Sequence, residues 1–428
     1  MSRKIHNRLE RFLQLKRGIR GSKTHLLVGI DVAKGKHHAF FGTATGKTLL
    51  RRLIFDNSRE GFERLLLEVR RQKEMYGLKS VVFGLEPTAN YHKPLGEYLI
   101  RGGQEVVLVG TVAVKHNRRL MDGRWDKHDT KDAANVADLI SQGKCLHYEY
   151  PEIRLRELRD LLSLKRRLRR QEHGYRVRIR NQLVAKYFPE LDSFYSESES
   201  TVLGVVRWCL SPREIAGLKV EEFIGRVTGR RVGMKQRRRL EAIWARAKES
   251  IGCEVGERVA FEAQVMVEGL RQIREVIKAT EDRIEEICVG FKEYPYLLSI
   301  PGFGPDISSK VLGALGDPFR FRAGKQVIKM AGYDLSASRS GEKSDRVIPV
   351  ISKQGKADLR YALYQAAQVA SSKNRDFRIY YAKKLQGRER EKGIHTKIKV
   401  KLAAKLLVIA WTLMKKKERF DPSYLSLE

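Results

Sequence analysis

Gly123-Arg124-Trp125-Asp126-Lys127-His128-Asp129-Thr130-Lys131-Asp132-Ala133-Ala134-Asn135-Val136-Ala137-Asp138-Leu139-Ile140 opens as a polar, basic loop and turns into a helix. Ala133, Val136, Ala137 and Ile140 recur at helical spacing and give that helix one apolar face. Asp129 and Asp132 are three residues apart, so they are neighbours on one turn. Two carboxylates at a helix start have two uses. The commoner is a cap, with Asp129 at the N-cap and Asp132 complementing the helix dipole. The other is a metal site, and the chain on either side decides how much weight it carries.

That chain is strongly basic. Lys and Arg number 85 against 51 Asp and Glu, a formal charge of +34. The excess points to a polyanion, nucleic acid rather than a membrane surface. No apolar run is long enough to span a bilayer, and no secretory core follows the basic N-terminus. The 428 residues suffice for two or three domains, and 42% hydrophobic residues allow substantial cores. Cys145, Cys209, Cys253 and Cys288 are far apart and form no CxxC pair, so a reducing, cytoplasmic setting is expected.

Upstream of the paired aspartates the pattern is α/β. Leu26-Leu27-Val28-Gly29-Ile30 reads as a buried strand ending in Asp31. Strands follow around His38 to Gly42 and from Thr48 to Phe55. The intervening Gly42-Thr43-Ala44-Thr45-Gly46-Lys47-Thr48 is one residue short of a phosphate loop and precedes no helix, so it reads as a hairpin turn. A helix over 58–75 leads to the strand Val81 to Leu85, which ends in Glu86 before Pro87. A helix (91–101), the strand Val106 to Val109 and a basic helix (112–120) complete a domain with a mixed sheet. Asp31 and Glu86 each end a central strand, where α/β folds place their chemistry. With Asp129 and Asp132 they make four carboxylates able to converge on Mg²⁺, two of which would stabilise both oxygens of a phosphodiester exchange.

Downstream the pattern is helical. Residues 155–183 form a long helix with a near-heptad seam at Leu158, Leu161, Leu168 and Tyr175 and a basic run that includes Arg166 and Arg167. Its expected partner spans 261–288, with Leu270, Ile273, Ile277 and Ile284 at coiled-coil spacing, within one chain or between two. A helical insertion lies between them. It carries a Ser-rich acidic loop (193–200) and a dense basic run (229–239) in which Arg237 and Arg238 are candidate nucleic-acid contacts. The leader (1–23) reads as a short helix, an arm or a solvated tail.

Ile300-Pro301-Gly302-Phe303-Gly304-Pro305 then reads as a turn between two helices, similar to a helix-hairpin-helix element, with Gly302 and Gly304 letting a phosphate approach. A polar loop of small residues follows. It holds Ser336, Ser338, Ser340 and Ser344, with Ser340 flanked by Arg339 and Lys343. Any of the four could attack a phosphodiester if activated, and a plain loop is the commoner use of such a stretch. Two helices, 356–371 and 397–414, close the chain.

Gly29-Ile30-Asp31-Val32-Ala33-Lys34, Leu85-Glu86-Pro87-Thr88, Asp129-Thr130-Lys131-Asp132-Ala133, the Ile300–Pro305 stretch and Arg339-Ser340-Gly341, in that order, resemble the DEDD-type transposases of insertion-sequence family 110, relatives of the Piv invertase. The likeness runs from Leu26 to Pro422. It implies a RuvC-like domain of the ribonuclease H fold (24–150), a coiled-coil and helical region (151–290) and a C-terminal transposase domain (291–428). Asp31, Glu86, Asp129 and Asp132 match the family's Mg²⁺-binding tetrad, and Ser340 matches its nucleophilic serine, which joins covalently to a DNA phosphate. The resemblance also implies a composite site shared between subunits, a dimer or tetramer, and a structured bridge RNA pairing with donor and target DNA. Three features depart from the family. Arg339 replaces a usual Gln, Asp334 replaces an apolar or small residue, and the leader is longer. The competing readings are a Piv-like invertase without RNA, a RuvC-type nuclease that needs no serine, and a basic nucleic-acid-binding protein without activity.

Overall fold

The computed structural model describes residues 2–121, 129–148, 150–229, 232–336 and 350–425. It divides into two units, Met1–Glu152 and Ile153–Glu428.

The first unit is a helix α1 (Ser2–Ile19), strands β1 (His25–Asp31), β2 (Lys36–Thr43) and β3 (Thr48–Asp56), helix α2 (Arg59–Met75), strand β4 (Ser80–Leu85), helix α3 (His92–Arg101), strand β5 (Glu105–Leu108), helices α4 (Thr111–Met121) and α5 (Asp129–Ser141), and a two-residue strand β6 (Leu146–His147). The sheet order is β3-β2-β1-β4-β5-β6. β1 runs antiparallel to β2 and parallel to β4, β5 is parallel to β4, and β6 closes the far edge antiparallel to β5. The 43–47 segment is the expected hairpin turn, with the Thr43 amide donating to the Lys47 carbonyl.

Side-chain alternation sorts the sheet's two faces. Leu26, Val28 and Ile30 of β1 and Phe83 and Leu85 of β4 pack with Phe62, Leu65, Leu95 and Leu99 of α2 and α3. Leu27 and Val82 point the other way, onto Ile19 of α1, Val114 of α4 and Val136, Leu139 and Ile140 of α5. The leader is therefore a packed helix rather than a solvated tail: Ile19 is fully buried, and the Arg20 guanidinium donates to the Gln142 carbonyl at 2.9 Å.

Two glycines let α5 lie on the sheet. Gly29 and Gly84 are partners in the β1–β4 register. A Cβ on Gly29 would sit 2.6 Å from the Ala137 amide nitrogen, and one on Gly84 would overlap the Ile140 side chain. Both glycines face α5, and by the same alternation so do Asp31 and Glu86 two residues further on.

The second unit is helical. α6 (Ile153–Arg178) continues through a π-helical turn (Ile179–Val184) into helices α7 (Tyr195–Trp208), α8 (Pro212–Gly217), α9 (Val220–Thr228), α10 (Met234–Ala247) and the long α11 (Glu257–Val289). Then come α12 (Tyr294–Leu298), α13 (Pro305–Leu315), α14 (Gly324–Ala331), strands β7 (Leu335–Ser336) and β8 (Val350–Ile351), and helices α15 (Ala357–Lys373), α16 (Arg375–Leu385) and α17 (Ile394–Lys416). α6 and α11 pair antiparallel within the chain, as the contacts Arg154–Gly290, Arg169–Glu281 and Arg274–Glu172 show. The insertion between them has its own apolar cluster, and α12–α17 build another around Leu363, Leu402 and Leu406.

The Ser-rich segment 193–200 is not a loop. A 3₁₀ turn (Pro189–Phe194) leads straight into α7, which kinks at Ser198. Ser193 donates to the Glu190 carbonyl, Val202 and Val205 bury one face, and Glu197 and Glu199 are neutralised by Arg239, Arg176 and Arg274. Tertiary ion pairs thus override a composition that reads as solvated. Among the described residues no helix is long and apolar enough to cross a membrane.

Candidate acid cleft and nucleic-acid contacts

Asp31 at the end of β1 and Glu86 just past β4 are neighbours because Ile30 pairs with Leu85 across parallel strands. Asp132 reaches the same place from the first turn of α5. All three line one cleft of about 530 Å³, together with Lys34, Lys36, His38, Thr88, Tyr91, Lys115 and Arg118. Asp132 is 2% exposed and Glu86 8%. Asp129 begins α5, and its side chain lies outside the described residues.

A buried polar network holds α4 against α5. The Asn117 amide donates to Asn135 and to Asp138, both at 2.7 Å, and the Asn135 amide donates to the Val114 carbonyl at 2.7 Å. Asn135 is fully buried, so the two bonds it takes part in are shielded from water. The network brings Arg118 to Asp132, with Nη2 2.5 Å from Oδ1. On the α2 side of the sheet His37 is buried against Phe55 and Phe62, and its Nδ1 accepts from the Ala33 amide at 3.2 Å, which shapes the turn after Asp31. Burial pulls the His37 imidazole below its ordinary value of 6.5, so it is neutral there.

The donor set is chemically suited to a hard divalent cation, being carboxylate oxygens gathered at strand and helix ends. Asp132 Oδ1 is buried and already meets Arg118 Nη2, so a cation bound there would compete with the guanidinium. As the side chains stand, no three His, Cys, Asp or Glu groups among the described residues are close enough to hold a metal ion.

The other sequence candidates fare differently. Ser340, Arg339 and Lys343 fall in residues 337–349, outside the described residues, between the paired strands β7 and β8. Gly302 has a positive φ of 88°, and a Cβ there would lie 2.5 Å from the Ala366 carbonyl oxygen, so this glycine lets the α12–α13 turn pack on α15. Gly304, the N-cap of α13, faces open space. Arg166 is paired with Asp358 at 2.8 Å, and Arg237 with Glu221 and Glu241. Arg167 and Arg238 are exposed. Sequence reading missed Lys115 and Arg118. The only signal for them was the basic character of the helix before the acid stretch.

Residues 28–189 match the transposase family DEDD_Tnp_IS110, and residues 294–382 match the transposase family described as IS116/IS110/IS902. Together these cover more than half of the chain. The chain is also 24% identical, over 414 residues, to the "Insertion element IS116 uncharacterized 44.8 kDa protein" of Streptomyces clavuligerus, covering 92% of this chain and 96% of that protein.

Proposed function

For a chain that belongs to the IS110 family of insertion-element transposases, we propose a strand-exchange enzyme in which Asp31, Glu86, Asp129 and Asp132 hold Mg²⁺ and Ser340 attacks the DNA. The family membership carries the coarser statement, an enzyme that cuts and rejoins DNA. The observation that supports the finer one is the convergence of Asp31, Glu86 and Asp132 on one cleft, inside the segment that matches the DEDD family. The sheet order, with β1 between an antiparallel and a parallel neighbour, supports the RuvC-like, ribonuclease H reading of residues 24–150.

Bound Mg²⁺ would neutralise charge on the attacking and leaving oxygens. The chain's own part is to hold that site rigidly and to supply the nucleophile. The Ser340 hydroxyl gives up its proton and its oxygen bonds to phosphorus, while the bond from phosphorus to the strand's ester oxygen breaks and that oxygen takes a proton to become a hydroxyl. A hydroxyl of the recipient strand then reverses the exchange. The acid site and Ser340 belong to different subunits of a dimer or tetramer in this reading. The charge of +34 suits a protein that holds DNA together with a structured guide RNA, with base pairing rather than side chains reading sequence.

The test is a recombination assay in cells with donor and target plasmids and the element's flanking non-coding DNA. Ser340→Ala and Asp132→Asn should each lower recombination by at least about a thousandfold. If only Asp132→Asn is dead, the reaction depends on the acid site and not on Ser340, which is then a loop residue. If recombination proceeds without the flanking DNA, the RNA-guided reading fails and a Piv-like invertase remains.

A further inference from the structure

The acid cleft is lined by cations that none of the steps above uses. Lys34 and Lys36 flank the start of β2, and Lys115 and Arg118 stand three residues apart on one face of α4. Against the three described acids these four charges leave the cleft close to neutral.

Arg118 stands apart from the lysines. It is about a quarter exposed, while its partner Asp132 is almost wholly buried, and their ion pair is short. The contact is one-pronged: Nη2 meets Asp132 Oδ1, while Arg118 Nε is buried without a hydrogen-bond partner among the described residues. An arginine kept for structure ordinarily grips a carboxylate with both prongs of its fork and fills both sets of lone pairs. Here charge is balanced while the Nε prong of the fork stays unused among the described residues. Such a pair gives up less on separation than a saturated one, provided each partner meets a new counter-charge. α4 itself does not have to move, since Asn117 and Asn135 pin it to α5.

Resting on the metal-site reading above, we propose that Arg118 is the counterion of Asp132 in the metal-free cleft. Arrival of a divalent cation on the carboxylates releases its guanidinium, which then holds a nucleic-acid phosphate beside Lys115. The cation adds positive charge to a near-neutral cleft, so metal and phosphodiester bind cooperatively. Arg118 is on this account a positioning residue that keeps the acids from repelling DNA before the metal is in place.

The experiment uses the full chain, Mn²⁺ as the probe and a fluorescent DNA duplex, at a pH well above the carboxylate range. Arg118→Gln should bind Mn²⁺ between about 3- and 100-fold more tightly than wild type, because an internal competitor is gone. Asp132→Asn, a near-isosteric change, should release Arg118 without metal. In EDTA its DNA affinity should rise, and the slope of log affinity against log salt should steepen by about one. Unchanged or weaker Mn²⁺ binding by a folded Arg118→Gln overturns the proposal, and so does an unchanged slope for Asp132→Asn. If Arg118→Gln fails to fold, the Asp132→Asn salt series decides alone. If wild type binds no Mn²⁺ at all, the metal-site reading fails as well. Wild-type Mn²⁺ binding with an unaltered Arg118→Gln sinks only the counterion role.

Discussion

The α5 face of the sheet and the α6–α11 pair are both rich in charge, and they use it in opposite ways. On the helix pair many charges meet their opposites locally. Arg169 bonds Glu172 and Glu281, Arg274 bonds Glu172 and Glu199, and Arg271 spans Glu268 and Glu275. Exposed pairs of this kind contribute little to stability and leave little field for a ligand. Against the sheet, by contrast, three acids gather at one end, beside buried amides and a pair of glycines, and share one cleft with four cations. Density of charge along a chain therefore says less about chemistry than how rigidly, and against what, the charge is held.

The contrast can be broken most directly at its foundation. Gly29→Ala should cost the first unit about 2–3 kcal/mol by forcing α5 off β1, read as a lower denaturant midpoint. It should also abolish recombination, although no acid is touched. Asn135→Ala strands the Val114 carbonyl and an Asn117 donor and should cost about 2 kcal/mol. If its melting temperature matches wild type, the amide network does not fix α4. Next in size is a pH effect. His37 is neutral when folded, with its pKa lowered by burial, whereas the unfolded chain takes up a proton near 6.5. Stability is therefore full above 6.5 and falls as pH drops through that value toward the lowered one. His37→Asn should flatten this decline in thermal melts, and an equal decline in both proteins would exclude His37 as its source. The smallest effect sharpens the other half of the comparison. Glu268→Gln on the exposed face of α11 should leave the melting temperature unchanged within error.

Much of the acid cleft was legible beforehand because its signals are local. Apolar runs that stop at Asp31 and Glu86, and an apolar face beginning after Asp132, are patterns of period two and 3.6 that need no tertiary knowledge. Arg118 was not legible, since its pairing with Asp132 depends on α4 and α5 being fastened by Asn117 and Asn135. β6 was missed because two residues carry no periodicity, and they pair only because β5 offers an edge. The segment around Ser198 read as a loop because its glutamates find their arginines on other helices. Gly302 read as a phosphate neighbour, while its described contact is with α15. Ser340 rests on sequence likeness, being outside the described residues.

The glycine pair under α5 has a consequence for anyone who would re-engineer this enzyme. Main chain rests directly on main chain at Gly29, so the spacing between the acids is a property of two backbones and not of any rotamer. The surrounding aliphatic residues can be shuffled for heat tolerance or solubility, volume for volume, and the gauge of the acid site should persist. What such a library has to leave untouched is the absence of two methyl groups.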